Sequence, residues 1–112
     1  MAASPTQRSL ARARKLGWLP AVVERWNPHA RIRQDLFGFL DLVALDGEPG
    51  LLGIQATSSS NAAARVRKIQ DLESDAPRRW LEAGNRIEVW GWKKLPNGRW
   101  ECQVRPIALD AL

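Results

Sequence analysis

The sequence predicts a single α/β domain, a mixed β-sheet flanked by helices, and three observations carry that expectation. Two apolar runs, residues 39–45 and 51–57, are joined by the tight loop Asp46-Gly47-Glu48-Pro49-Gly50. A second pair of strand-like runs, 86–93 and 99–105, brackets the turn Pro96-Asn97-Gly98. Helical tracts precede the first pair and separate it from the second, the interleaving of an α/β fold. With 112 residues, 45% hydrophobic and 26% charged, the chain suits one globular domain spanning 1–112.

Taken in order, residues 7–16 read as a helix, with Ser4 or Thr6 as cap and Gly17 as breaker. Arg8, Arg12 and Lys15 share one face of it, and Leu10, Ala13 and Leu16 form a thin apolar stripe. Pro20 is suited to open a second helix over 20–26, stopped by Asn27-Pro28, with Leu19, Val22, Val23 and Trp26 buried and Glu24 on the flank. A short strand or extended arm follows around Arg31, Ile32 and Arg33. The tract Ser58-Ser59-Ser60-Asn61 caps a helix over 62–73, whose first two turns carry Arg65, Arg67 and Lys68. Cations there gain nothing from the helix dipole. A short helix over 78–83 ends at Gly84-Asn85. In the last strand Trp100, Cys102 and Val104 alternate with charged and polar residues, which predicts that they face the core.

Charge and composition narrow the chemistry. Seventeen Lys and Arg against twelve acids give a net charge of +5, which favours a polyanionic partner. Cys102 and His29 are the only residues of their kinds, which argues against zinc sites and Cys–His catalysis. No glycine loop has phosphate-cradling spacing. A lone cysteine, an N-terminus without an apolar signal core and no run long enough to span a bilayer suggest a cytoplasmic protein. Oxygen ligands remain, and they suit a hard cation such as Mg²⁺ or Mn²⁺.

Those ligands point to the first hairpin. If 46–50 is the loop and Leu45 faces Leu51, Asp41 lies opposite Gln55 and Phe39 opposite Thr57. Gln55 and Thr57 share one face of their strand, so a carboxylate, an amide and a hydroxyl converge. A buried carboxylate needs a cation, water or several donors. Asp35 and Glu48 lie nearer loop ends than this patch. Of the six tryptophans, Trp18, Trp26, Trp80 and Trp100 read as core. Trp90 and Trp92 share a face with Arg86 and Glu88, where packing or a dimer contact is favoured over a base-stacking platform.

Glu24, the acid in FGFLDLVAL, the polar-x-polar triplet Gln55-Ala56-Thr57 and the basic helix after it together resemble the PD-(D/E)XK nuclease superfamily. Within it, residues 7–105 are most similar to small Holliday-junction-resolvase-like proteins of phages and archaea. The resemblance implies a restriction-endonuclease-like αβββαβ core, divalent-metal-dependent cleavage of structured DNA, and a homodimer. It assigns Asp41 as the metal-binding aspartate, Gln55 and Thr57 to the (D/E)-x-K positions, Glu24 as a helix glutamate, and Gly38 as the glycine preceding the strand. Asp41, Gln55 and Glu24 would hold Mg²⁺ or Mn²⁺, while Arg31, Arg33, Arg65, Arg67 and Lys68 would hold nucleic acid. Gln55 lacks the usual negative charge, and Thr57 cannot supply the cation of the usual lysine. Lys68 or Arg65 reaching back over the patch would repair that loss. The rival readings are a nucleic-acid-binding module with a disabled site and a subunit docked through the basic N-terminal helix.

Overall fold

In the computed structural model, which describes residues 3–112, the first hairpin forms in the expected register. Strand β4 (Leu42–Leu45) pairs antiparallel with β5 (Leu52–Ser58), Leu42 opposite Ile54 and Ala44 opposite Leu52. The expected strand begins late, because residues 35–40 fold into a turn. There Leu36 and Leu40 exchange backbone hydrogen bonds, and Phe37 and Gly38 take left-handed φ values of 54° and 82°. Met1 and Ala2, part of the expected non-secretory N-terminus and of the 1–112 domain, lie outside the described residues.

Helix α1 (Pro5–Lys15) starts where the sequence places it. Ser4 accepts from the Gln7 N–H at 3.2 Å and Gln7 accepts from the Ser4 N–H at 2.9 Å, a reciprocal capping box. The expected second helix is replaced by strand β1 (Leu19–Val22) and strand β2 (Arg25–Asn27). Seven residues containing Val22-Val23 and Trp26 gain little as an isolated helix. Pairing with β4, Leu19 opposite Leu45, supplies their backbone partners, and Pro20 is tolerated because β1 is an edge strand. The buried face assigned to that helix is also corrected: Leu19, Val22 and Trp26 are exposed, and only Val23 packs against the core.

Strand β3 (Ile32–Gln34) confirms the expected arm and pairs with β2 as a separate two-stranded ribbon. After β5 come helices α2 (Ala62–Gln70) and α3 (Ala76–Glu82), then β6 (Arg86–Lys94) and β7 (Trp100–Ile107). The two helices supply the crossover that a parallel β5–β6 pair requires. The five-stranded sheet runs β1-β4-β5-β6-β7 and is antiparallel except at β5–β6, a mixed sheet as the sequence predicts. No helix among the described residues is long and apolar enough to cross a membrane.

Side-chain alternation splits the core into two layers. Leu42, Ala44, Leu52, Ile54, Trp90 and Trp92 pack toward α1, and Phe39, Leu40, Ile69, Trp80, Ile87 and Val89 toward α2 and α3. Trp92 donates to Ser9 Oγ at 3.0 Å, pinning α1 to the sheet. Arg86 holds Asp46 through two bonds of 2.6 and 2.7 Å, anchoring the 46–50 loop. At Gly50 (φ 75°) a Cβ would stand 2.1 Å from the Gly84 carbonyl oxygen, so only glycine fits. Trp100 and Val104 are exposed, not core, because β7 is the outer edge strand.

Candidate metal centre

The site is built where the chain enters β4. Asp41 sits one residue before that strand, and its N–H donates to the Ile54 carbonyl at 3.0 Å. The Asp41 carbonyl accepts from Val23 and Glu24 at 2.9 and 3.2 Å, holding the β1–β2 junction against it. Its side chain turns toward β5, where Oδ2 accepts from Gln55 Nε2 at 2.7 Å and from the Ala56 N–H at 2.8 Å. The expected convergence of Asp41 and Gln55 is present.

Two further carboxylates join them. Ligand oxygens of Glu24, Asp35 and Asp41 lie within 4.8 Å of one another, with Asp41 buried and the other two half-buried. Glu24 arrives from the β1–β2 junction and not from a helix. Asp35 follows β3, inside the cluster rather than at a remote loop end, and Gln55 Nε2 approaches its Oδ2 at 3.4 Å. The ribbon is what brings Asp35 to Glu24. Arg25 pairs with Gln34, so extending that ladder by one residue puts Glu24 opposite Asp35.

These groups line a cleft of about 660 Å³ that opens between α1 and α2. Gly38, Arg33, Arg65 and Lys68 line it too, and Arg33 stands 3.7 Å from Glu24. Thr6 Oγ1 donates to Glu24 at 3.5 Å from the first turn of α1. Thr57 is buried on β5, and Arg31 and Arg67 are exposed; none of the three lines the cleft. Glu48 lies in the loop at the far end of the hairpin, its N–H bonded to Asp46.

The donor set fits a hard divalent cation. It is all oxygen and comes from three separate chain segments, and carboxylates are the ligands such ions take. Gln55 is 1% exposed; its Nε2 faces Asp41 and Asp35, and its Oε1 has no hydrogen-bond partner among the described residues. A buried carbonyl oxygen without a donor costs about 1–3 kcal/mol unless something else meets it.

Without a cation the cluster must hold a proton. Burial first, then a hydrogen bond with Asp35 and its charge, pushes the Asp41 carboxyl up from 3.8 to about 8, against the opposing donors Ala56 and Gln55. Between pH 4 and pH 8, roughly, the folded chain keeps this proton and the unfolded chain has lost it, so stability falls as pH rises. In EDTA the unfolding free energy should therefore rise from pH 8 to pH 5, by at most about 1.4 kcal/mol per pH unit, and the thermal midpoint with it. Saturating Mn²⁺ should flatten or invert that slope by taking the proton's place. Thermal melts across this range check it, and a flat profile in EDTA would count against a proton kept on Asp41.

No family model, no curated protein and no solved structure matches this chain.

Proposed function

We propose that the chain is a divalent-metal-dependent DNA endonuclease of the restriction-endonuclease-like type, acting on structured DNA in the manner of Holliday-junction resolvases. The observation that carries this reading is the juxtaposition of the Glu24–Asp35–Asp41 cluster with Arg33, Arg65 and Lys68 in one cleft. Acids that hold a cation beside bases that hold a phosphate are what phosphodiester hydrolysis requires. The order of elements gives support: α1, three antiparallel neighbours β1, β4 and β5, helix α2, then parallel β6. On this reading the αβββαβ core would be α1, β1, β4, β5, α2 and β6, with the β2–β3 ribbon and α3 as insertions and β7 as an addition.

Asp41, Asp35 and Glu24 would hold Mg²⁺ or Mn²⁺, and Gln55 would add its amide oxygen only if its side-chain amide turned over from the placement in which Nε2 faces Asp41 and Asp35. Such an ion polarises a phosphate oxygen and lowers the pKa of bound water. Gln55 and the Ala56 N–H orient the Asp41 carboxylate. Arg33 and Arg65 position the flanking backbone without reading sequence. Lys68 takes the part of the cation that Thr57 cannot supply, stabilising charge that develops on the phosphate.

Cleavage of labelled four-way junction, duplex and single-stranded DNA with Mg²⁺, Mn²⁺ or EDTA tests the reading. We expect metal-dependent cutting that prefers the branched substrate. Removing one charge-stabilising donor typically costs about 10²–10³ in rate, so Lys68→Ala should approach that loss and Arg65→Ala should fall short of it. Activity unchanged in both variants would remove Lys68 from the mechanism.

The second reading, a binding module with a retired site, has one observation in its favour. Thr57, at the usual lysine position, is buried away from the cleft. It predicts DNA affinity without cutting under every metal, and affinity indifferent to Asp41. A homodimer is proposed from the resemblance, and sedimentation of the free chain tests it.

A further inference from the structure

We infer that the β2–β3 ribbon is a DNA arm that enters the major groove of a B-form duplex and so seats a phosphodiester over the acidic cluster. This deepens the nuclease reading and rests on it. The ribbon is joined to the site at both ends: Glu24 directly precedes β2, and Asp35 directly follows β3. Whatever the ribbon grips is thereby placed beside the candidate ligands.

Apart from the Arg33 contact with Glu24 and the Asn27 bonds of its own turn, the ribbon's side chains are turned out to solvent. From Arg25 to Gln34 every residue except Asn27 is exposed, including Trp26 at 55% and Ile32 at 51%. Exposed apolar side chains on a projecting hairpin cost solvation unless something covers them. Arg25, Arg31 and Arg33 give the segment three formal positive charges with no acidic residue between them. Neither Arg25 nor Arg31 has an ion pair among the described residues. A second copy of a chain with net charge +5 is a poor occupant for so basic an arm, whereas a polyanion is a good one.

The arm is also stiffened in advance. Asn27 Oδ1 accepts from the His29 and Ala30 N–H groups at 3.0 and 3.2 Å, and Arg31 takes a left-handed φ of 55° to close the turn. Trp26 lies opposite Arg33, so the two share one face and pair an aromatic surface with a cation. Two paired strands are about 4.8 Å apart. The B-DNA major groove, about 12 Å wide, admits a two-stranded ribbon. The deep, narrow major groove of duplex RNA does not.

Fluorescence anisotropy of labelled duplex DNA, single-stranded DNA and duplex RNA, in EDTA over a salt series, tests the arm apart from catalysis. The variants are Trp26→Ala, Trp26→Phe and the double substitution Arg25→Ala with Arg31→Ala. Lys93→Ala with Lys94→Ala, at the end of β6, removes equal charge as a control. All these positions but Trp26 are exposed charges, and thermal melts verify folding.

We expect the arginine pair to weaken duplex-DNA binding at least tenfold and to lower the salt slope by nearly two, at about 0.9 per phosphate contact. Trp26→Ala should weaken it and Trp26→Phe restore part of the loss, with the lysine control near wild type. Equal losses in ribbon and control variants would overturn the arm, as would duplex RNA bound as tightly through the same residues. Wild-type cleavage with unaffected binding by the ribbon variants would sink the arm and leave the nuclease standing. A wild type that neither binds nor cuts any nucleic acid would remove both. Ribbon variants that change only sedimentation would make the ribbon a contact between copies instead.

Discussion

Asp41→Asn should leave the fold intact and reduce metal-dependent cleavage by more than about 100-fold. Outer partners of metal ligands typically cost 10–100-fold when lost, so about that is the floor for a ligand itself. Asparagine is the informative choice because it imitates the protonated acid. Its carbonyl can still accept from Gln55 and Ala56, and its amide can donate toward Asp35 as a protonated Asp41 would. It cannot become an anion. Titration with Mn²⁺ should show binding lost along with cleavage, and the stability of the variant in EDTA should no longer fall between pH 5 and pH 8. Asp41→Ala is less clean, since it leaves the Ala56 N–H without its partner at a cost of about 1–3 kcal/mol. Cleavage surviving in Asp41→Asn would place the chemistry elsewhere.

Trp90→Ala should destabilise the chain by about 3–5 kcal/mol, the range for a large aromatic deleted from a core. That is a large part of the 5–15 kcal/mol that holds an ordinary domain together. Trp90 is wholly buried between the sheet and α1. Its Nε1 donates to Glu88 at 2.9 Å, Trp18 lies 6.0 Å away, and the Arg12 guanidinium covers its ring at 4.4 Å. Urea unfolding with and without the substitution gives the number. A cost under about 1 kcal/mol would mean that the site collapses far better than its packing suggests. Burial also removes Trp90 as a base-stacking surface. Exposed aromatic surface is found instead at Trp26 and Trp100.

The two strand pairs show how far local pattern reaches. The register of β4 with β5 follows from the loop length at 46–50 and from apolar residues on both sides of it, both local properties. The cap of α1 is equally local, since Ser4 and Gln7 are three residues apart. Residues 20–26 show where such reasoning fails. Pro20 at a helix start and Pro20 on an edge strand are the same local signal, and only the presence of β4 alongside decides between them. The alternation in β7 misleads for a related reason. It predicts a buried face, and that face is covered only in part: Cys102 packs against the core and the Arg8 guanidinium lies 3.5 Å over the Trp100 ring, while Trp100 and Val104 stay exposed at the sheet edge.

The sequence by itself determined the α/β class, the first hairpin and its register, the capped first helix, and the meeting of Asp41 with Gln55. Each rests on residues close in the chain or on one hairpin with a short loop. Tertiary structure alone decided that Glu24 and Asp35 complete a three-carboxylate cluster, that Arg65 and Lys68 flank it and Thr57 does not, and that a basic ribbon projects from its base. These depend on where separate segments pack, and carboxylates brought within 4.8 Å of one another from three segments leave no periodic trace in the sequence.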